Sequence, residues 1–236
     1  MKTHLISYGD EKYALQKEFF EETALVSGFF DEVMLYGPHD IDAVFYEQFQ
    51  IFLHQPKGGG FWIWKPYLIK KVLDNLPEND ILIYCDAGCM INSRGKERFR
   101  QYMSLLMESD KGCLAFELPH KEFEFTKQEV LDYFSASPEI VNSNQLMATV
   151  ILLKKSDYTT FLVNKWCEVL YDKPLLFTDD KTRSIQNEQF IDHRHDQSVF
   201  SVIRKIYGAE IIPDETYFLD FIREGQAYPF WAVRLK

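Results

Sequence analysis

Asp86 is the residue whose type and position most clearly suggest chemistry. It directly follows Ile81–Cys85, which reads ILIYC, a run typical of a strand covered on both faces. A carboxylate at the end of such a strand is costly unless it meets a cation, a hydroxyl or a backbone donor. It could therefore coordinate a divalent ion or accept hydrogen bonds from ligand hydroxyls. Alternatively, Asp86 caps its own turn, CDAGC.

A second group of titratable side chains precedes a helix predicted at 196–207, in the sequence HRHDQ. A helix N-terminus keeps a nearby acid ionised, so Asp196 could accept a proton from a ligand hydroxyl. Alternatively, Asp196 or Asp192 is only the N-cap. His193 and His195 could contact phosphate or a metal ion, and Arg194 could neutralise a departing anion. Because successive side chains alternate, not all of them can face one site.

Lys65 stands at the N-terminus of another predicted helix, beside Pro66, which suits a first helical turn. Free N–H groups and the helix dipole favour an anion there, and the ammonium adds a full positive charge. Alternatively, Lys65 is a solvated side chain and the neighbouring aromatic residues belong to the core. Trp64 could also stack on a ring of the ligand. The preceding Gly58–Gly60 lacks the GK[ST] of a phosphate-binding loop and is predicted to be a flexible loop edging the site.

Further polar residues lie where strands are predicted to end or begin. Tyr8 and Asp10 follow the first strand, and Asn144 and Gln145 precede the strand predicted at 147–153. In open α/β sheets the ligand crevice lies beyond the carboxyl ends of the strands. These residues are therefore candidates for the same site as Asp86.

Strand-like and helical apolar patterns alternate along the chain. Strands are predicted at 4–7, 32–36, 81–85, 113–116 and 147–153, and helices at 11–26, 41–53, 66–73, 96–107, 126–134, 156–171 and 196–207. Thr126–Glu129 matches a capping box, Ser156 is a predicted N-cap and Gly208 a predicted stop. This order predicts a single α/β domain over residues 1–236, a Rossmann-type fold with a mostly parallel mixed sheet and helices on both faces.

The composition restricts the classes of protein that fit. The 236 residues suffice for a core without disulfide or metal staples, and a net charge of −10 disfavours nucleic-acid binding, which requires a basic surface. Four cysteines without a CxxC pair indicate reduced, buried thiols. No signal-peptide pattern or run of about 18 apolar residues occurs, so we expect a cytoplasmic protein without a transmembrane segment. The segment AYPFWAVRLK could make peripheral membrane contact or pack on its own domain.

Five segments resemble nucleotide-sugar-dependent glycosyltransferases of the GT-A fold, in particular small polysaccharide-type enzymes of bacteria and viruses. They are SYGDEKY, GGGFWIWKPYLIKKVL, DILIYCDAGCMIN, NSNQLMATVILLKK and HRHDQSVFS, and they run from about residue 4 to residue 206. WxWKP and HDQS in combination are the more specific part, whereas the DxD-like turn alone is a weak signal. One departure is that Gly88 replaces the second acid of the DxD motif.

The resemblance implies transfer of a monosaccharide from a nucleoside diphosphate sugar to a hydroxyl of a glycan or glycoconjugate. It implies Asp196 as the catalytic base, and it leaves open whether the enzyme inverts or retains configuration. The implied donor residues are Tyr8, Asp10, Trp64, Lys65, Asp86, Gly88 and Arg194, and the implied acceptor or sugar residues are Asn144, Gln145 and Gln197. Mn²⁺ or Mg²⁺ on Asp86 and His193 is one expectation, and transfer without a metal is the other, because of Gly88.

Two other classes of function fit parts of the sequence. A metal-dependent hydrolase could use HRHD, although Asp196 directly follows His195 and no second ligand cluster is visible. A non-catalytic glycan-binding module would use some of the 20 Phe, 13 Tyr and 4 Trp residues. Most of these aromatics recur at core-facing helical positions, however, and a binding module has no need for an acidic turn beside a cationic helix start.

Overall fold

A seven-stranded sheet runs through the centre of the protein, in a computed structural model that describes residues 1–235. Its strands are β1 (Thr3–Tyr8), β2 (Glu32–Tyr36), β3 (Ile81–Cys85), β5 (Cys113–Lys121), β6 (Asn144–Leu146), β7 (Val150–Lys154) and β8 (Glu210–Pro213), while β4 (Met90–Ile91) and β9 (Phe230–Trp231) form a separate pair. The order across the sheet is β2-β1-β3-β7-β5, and β6 and β8 also pair with β5.

The sheet is mixed, with one prevailing strand direction. β1 is parallel to β2 and β3, β7 is antiparallel to β3 and β5, and β5 is antiparallel to β6 but parallel to β8. Five of the seven strands therefore share a direction, and only β6 and β7 oppose it. The predicted mostly parallel mixed sheet is confirmed.

Helices cover both faces of the sheet, as predicted. They are α1 (Ala14–Ser27), α2 (Ala43–Leu53), α3 (Gly58–Phe61), α4 (Trp64–Leu73), α5 (Lys96–Glu108), α6 (Glu122–Phe125), α7 (Gln128–Tyr133), α8 (Pro138–Asn142), α9 (Asp157–Asp172) and α10 (Asp196–Tyr207). One face packs against α2, α4, α9 and α10, and the other against α1 and α5. Within residues 1–235, no helix has both the length and the apolarity to cross a membrane.

The strand β3 lies between the two core layers. Leu82 and Tyr84 face one layer, and Ile81, Ile83 and Cys85 face the other, because successive strand side chains point to opposite faces. All five are at most 1% exposed, and burial of each aliphatic side chain contributes about 1.5–3 kcal/mol. The predicted doubly covered strand is confirmed, and its packing fixes the position from which Asp86 projects.

The cysteines and the aromatic residues near position 230 are internal. All four cysteines are buried and free, as predicted. Phe230 and Trp231 are 0% and 6% exposed, so these rings pack on the domain, the alternative to the membrane contact considered above. Lys236, which also suggested that contact, lies outside the described residues.

The capping box predicted at Thr126–Glu129 does not form. The helix α7 begins only at Gln128. Thr126 donates its hydroxyl hydrogen to the buried carboxylate of Glu122, and Glu129 accepts hydrogen bonds from backbone N–H groups of residues 183 and 184. Tertiary partners therefore engage both side chains that the pattern assigned to the helix terminus. In contrast, Ser156 caps α9 and Gly208 ends α10, as predicted.

Candidate active site

A cavity of about 400 Å³ opens at the edge of the sheet where β1 and β3 end. Its walls come from the segments after these two strands, the turn before α4, the loop before α10 and the segment 234–235. Eleven of the residues that the sequence suggests for binding or catalysis line it, namely Tyr8, Asp10, Trp64, Lys65, Asp86, Gly88, His193, Arg194, His195, Asp196 and Gln197. The fold thus gathers most of the candidate residues in one place.

Lys65 joins the two acids that the sequence singled out. Its Nζ lies 3.2 Å from Oδ1 of Asp86 and 2.7 Å from Oδ2 of Asp196, and it donates to the carbonyl of Ala148 at 3.2 Å. The Lys65 side chain is only 2% exposed. The ammonium therefore lies among three protein oxygens, two of which belong to carboxylates. A bound anion at Lys65, as the sequence predicts, would have to compete with these two acids for its charge.

Burial and ion pairing oppose each other in this cluster. Burial raises the pKa of Asp196 to about 6, although the Lys65 ammonium counteracts the shift. Burial also acts to lower the pKa of Lys65, but the two carboxylates outweigh it and raise that pKa overall. Burial raises the pKa of Tyr84 well above its ordinary value, so Tyr84 stays protonated and donates to Oδ1 of Asp86 at 2.6 Å. Asp196 and Lys65 are therefore both charged at neutral pH.

Asp86 is the more accessible of the two acids. Its side chain is 32% exposed, against 6% for Asp196. The turn after β3 is closed by a backbone hydrogen bond, in which Cys89 N–H donates to the carbonyl of Asp86 at 3.0 Å, so the carboxylate is free for tertiary contacts. Tyr84 and Lys65 both engage Oδ1, which leaves Oδ2 for a ligand.

The helix α10 begins at Asp196, and the residue before it is in an uncommon conformation. His195 is the N-cap with φ 52° and ψ −118°, and no side chain caps the helix, so the N-cap alternative for Asp196 and Asp192 is wrong. A non-glycine residue held in such a region costs about 1–3 kcal/mol.

The buried Arg204, which the sequence reading missed, holds α10 by donating from Nη2 to the carbonyls of residues 146 and 147 at 3.1 and 2.7 Å.

Both histidines of the HRH sequence are buried and bonded to the protein. Nε2 of His193 lies 2.8 Å from the carbonyl of Leu176, and its Nδ1 accepts from the backbone N–H of residue 127 at 3.4 Å. Nδ1 of His195 lies 2.8 Å from the carbonyl of Phe177. Burial lowers the pKa of His195 to about 4 and that of His193 well below its ordinary range. Metal binding by His193 stays a prediction, and it would require the loss of these bonds.

A left-handed turn forms the rim beside His195. The five residues from Gly58 to Trp62 all have φ between 54° and 101°. A Cβ atom on Gly58 would lie 2.3 Å from the Trp62 ring, and one on Gly60 would lie 2.7 Å from the backbone of α2. The rings of Phe61 and Trp62 lie 5.5 and 5.2 Å from that of His195. The glycines therefore permit the turn that packs these aromatics against the site. The segment lines the cavity, while its predicted flexibility stays a prediction.

An aromatic pair forms part of the cavity wall after β1. The rings of Tyr8 and Trp64 stack with centres 3.8 Å apart, and Nε1 of Trp64 donates to the carbonyl of Gly58 at 3.0 Å. One face of Trp64 is thus taken by Tyr8, which limits the stacking on a ligand that the sequence suggests. Asp10 caps the short turn that follows, accepting from the backbone N–H of Lys12 at 3.0 Å.

Among the three predicted acceptor or sugar residues, only Gln197 reaches the cavity. Asn144 pairs with Lys121 in the sheet, and Gln145 is fully buried. Gln197 donates to Oε1 of Gln145 at 2.7 Å and accepts from the backbone N–H of Ala148 at 3.0 Å. The structure does not support the ligand contacts predicted for Asn144 and Gln145, because pairing of β6 with β5 draws both into the sheet. Gln145 instead positions Gln197.

Three basic side chains that the ion-paired cluster does not engage also line the cavity, Arg194, Arg234 and His120. The Cζ atom of Arg194 lies 4.7 Å from the centre of the Phe125 ring, and that of Arg234 lies 5.7 Å from the centre of the Tyr217 ring. Burial lowers the pKa of His120, and the positive charges of Arg194 and Arg234 lower it further. His120 and Arg234 were missed, since neither lies in a local pattern that marks a site.

The acidic turn does not supply the ligand set of a divalent ion. The carbonyl of Gly88 accepts from the N–H of Leu235 at 3.0 Å, and a Cβ atom at Gly88 would lie 3.3 Å from the Leu235 carbonyl oxygen. Lys65 and Tyr84 already engage Oδ1 of Asp86, and residues 1–235 contain no group of three His, Cys, Asp or Glu side chains arranged as ligands. Since Mn²⁺ and Mg²⁺ need several oxygen ligands, the residues here do not fit such an ion, nor the metal centre of a hydrolase.

Comparison with known proteins identifies the fold. No family model and no curated protein matches the sequence. Among solved structures, the chain is similar to a glycosyltransferase involved in the glycosylation of the major capsid of PBCV-1, with a TM-score of 0.55 and 10% identity over 98% of this chain and 93% of that one. This likeness shows that the two proteins share a fold, the GT-A type of glycosyltransferases, as the sequence resemblance implied.

Two other solved structures are similar at a lower level. Mouse xyloside xylosyltransferase 1 in its apo form gives a TM-score of 0.49 with 13% identity, covering 100% of this chain and 95% of that one. The galactosyltransferase LgtC, in complex with donor and acceptor sugar analogs, gives 0.48 with 11% identity, covering 97% of this chain and 86% of that one.

Proposed function

We propose that this protein is a glycosyltransferase that moves a monosaccharide from a nucleoside diphosphate sugar to a hydroxyl of a glycan or glycoconjugate. The observation that carries this proposal is the cluster of Asp86, Lys65 and Asp196 in the wall of the cavity. It lies where the strands of an α/β sheet end, the usual ligand crevice of such folds. The GT-A type fold supports the same function.

The free Oδ2 of Asp86 suits a hydrogen bond from a hydroxyl of the donor, on the sugar or on the ribose. Lys65 and Tyr84 hold Oδ1, so the carboxylate is fixed before a ligand arrives. Preorganised groups lose little freedom when they bind or react, which favours catalysis. We therefore assign Asp86 to donor binding.

Asp196 suits the role of general base for the acceptor hydroxyl. A base works best when its pKa lies near the operating pH, and burial raises the pKa of Asp196 to about 6. In the proposed step the acceptor oxygen forms a bond to the anomeric carbon as its proton passes to the Asp196 carboxylate. The bond from the anomeric carbon to the diphosphate oxygen breaks, and the nucleoside diphosphate leaves with the electron pair.

The test is release of nucleoside diphosphate from a panel of UDP-, GDP-, CDP- and ADP-sugars, measured with and without glycan acceptors. We expect Asp86→Asn and Asp196→Asn each to lower transfer at least about 100-fold, because single preorganised catalytic groups typically contribute 10²–10⁴-fold. Asp74→Asn is the matched control, since Asp74 is exposed and pairs only with Lys70 on the outside of α4. Thermal unfolding of each variant shows whether it is folded. Full activity in both active-site variants would refute the residue assignments.

A further inference from the structure

The ion-paired cluster cannot neutralise a donor diphosphate. Its one ammonium, on Lys65, already faces two carboxylates at 3.2 and 2.7 Å, so it has no positive charge in excess for a ligand. Lys57, another cation in the cavity wall, pairs with Asp179 at 2.9 Å. The charge of a diphosphate has to be met by other groups.

Arg194 and Arg234 remain available for that charge. Both line the cavity, and within residues 1–235 neither guanidinium has a carboxylate oxygen within 4 Å. Arg94 and Arg204 also lack such a partner among the described residues, so what distinguishes Arg194 and Arg234 is their place in the cavity wall. The stacking of Arg194 on Phe125 leaves the edge of the guanidinium, which carries the N–H donors, for a ligand.

His120 lines the same cavity as the two arginines. The positive charges of both lower the pKa of His120, which lies beside Phe125, with ring centres 4.8 Å apart. Two acids also act on His120. Glu124 accepts from the backbone N–H of residue 121 at 2.7 Å, and Asp214 accepts from the N–H and hydroxyl of residue 216 at 2.9 and 2.8 Å. The two arginines therefore come from different segments and line one cavity.

The segment that carries Arg234 also accounts for the missing acid of the DxD-like turn. The N–H of Leu235 bonds to the carbonyl of Gly88 at 3.0 Å, and the Cα atom of Arg234 would lie 3.8 Å from a Cβ atom at position 88. The backbone of 234–235 thus lies against position 88, where the DxD motif has its second acid. The segment that contacts this position carries the cation of Arg234.

We propose that Arg234 and Arg194 bind the diphosphate of the donor directly, in place of a divalent cation. The inference rests on the proposed function, because it assigns the phosphate-binding part of that site. Arginine suits this role, since its planar guanidinium forms paired hydrogen bonds to phosphate oxygens and keeps its charge at all ordinary pH values. Donor binding is therefore independent of metal.

The first experiment is calorimetric titration of the full chain with UDP, GDP, CDP and ADP and the matching monophosphates, each in Mn²⁺ or in EDTA. We expect at least one diphosphate to bind with the same Kd in both buffers, within about threefold. Binding that disappears in EDTA would overturn the inference while leaving the proposed function in place. Failure of every nucleotide to bind in either buffer would refute both.

The second experiment assigns the residues. Arg234→Gln and Arg194→Gln should each weaken diphosphate binding about 10- to 100-fold, as expected for the loss of charge-assisted hydrogen bonds, and should reduce the preference over the monophosphate. Arg234→Lys should restore part of the affinity because it keeps the charge. Arg100→Gln, on the exposed surface of α5 and paired with Glu97, is the matched control. Unchanged binding in folded Arg234→Gln and Arg194→Gln proteins would overturn the assignment, and the Arg194 variant decides it if Arg234→Gln fails to fold.

Discussion

The charged side chains at the two edges of the sheet are paired differently. At the edge where β1, β2 and β3 begin, His4 lies 3.1 Å from Glu32 and 3.2 Å from Asp80, and Asp80 also accepts from the backbone N–H of Lys2 at 2.7 Å. At the edge where β1 and β3 end, one lysine serves two acids and two arginines lack a carboxylate partner among residues 1–235. At the first edge the polar side chains are bonded to one another, whereas at the second edge the two arginines are left to bind a ligand.

Backbone strain follows the same division. The unusual φ and ψ of His195 and the left-handed turn through Gly58–Trp62 both lie at the edge with the cavity. The opposite edge also has residues with positive φ, Gly28 and Asn79, but glycine and asparagine adopt this region at a lower cost than phenylalanine or tryptophan. Strain that the rest of the fold offsets is commonly found at functional sites, and here it supports the choice of edge.

Replacing the shared lysine should have the largest effect. Lys65→Met leaves two carboxylates facing each other without their cation, and breaking a buried pair costs about 3–5 kcal/mol. We expect that loss in the unfolding free energy, measured with urea, together with loss of transfer. His4→Gln at the other edge should cost only about 1 kcal/mol, since Asp80 keeps the N–H of Lys2. Equal losses in the two variants would contradict the contrast between the edges.

Two glycines with positive φ should respond differently to alanine. Gly60→Ala places a Cβ atom 2.7 Å from the Cα atom of Leu53, so strain and overpacking should cost about 2–4 kcal/mol. A Cβ atom on Gly28 would have no neighbouring atom within 4 Å, so Gly28→Ala should cost only about 1–2 kcal/mol for the left-handed conformation. Chemical denaturation of both variants measures the difference. Equal or greater stability of the Gly60→Ala protein would contradict the tight packing of the turn.

Transfer should depend on the ionisation of Asp196. With a pKa of about 6, the ionised fraction falls about tenfold between pH 7 and pH 5, and the rate of a base-catalysed step should fall with it. Single-turnover rates between pH 5 and pH 8 test this. A rate that stays flat down to pH 5 would exclude Asp196 as the base.

The unfolding free energy should also depend on the ionisation of Asp196, but it should fall as the pH rises, whereas the transfer rate should rise. An unfolded aspartate titrates near about 3.9, below the folded pKa of about 6, so the native state retains a proton that the unfolded chain has lost. The contribution of Asp196 to the unfolding free energy is therefore present below about pH 4 and is lost as the pH rises to about 6. Asp196→Asn should lack this part of the pH dependence.

Gly88→Asp should have the smallest effect, and it tests whether the segment with Arg234 supports diphosphate binding without a metal ion. A Cβ atom there meets the Leu235 carbonyl oxygen at 3.3 Å, so the segment with Arg234 must shift. We expect diphosphate binding in EDTA to weaken by up to about tenfold, as when part of a charge-assisted contact is lost, with little change in Tm. Tighter binding in EDTA than the unchanged protein would contradict the role of the segment.

Much of the site was readable from local patterns. The apolar run ILIYC is followed by Asp86, and the amphipathic helix at 196–207 begins at Asp196, so periodicity placed both acids beside helix or strand ends. Asn144 and Gln145 were placed by the same logic, but β6 pairs with β5 before β7 begins. A short strand of three residues leaves no periodic signal of its own.

The sequence by itself determined the order of five strands and seven helices, the buried strand β3 and the two acids at the cavity, because each depends on short-range apolar patterns and on the residue that interrupts them. Only the tertiary structure decided that Lys65 lies between Asp86 and Asp196 and that Arg234 and His120 share a wall with Arg194. Those contacts join residues far apart in the chain. Their energies come from burial and charge, which exist only once the core has brought the segments together.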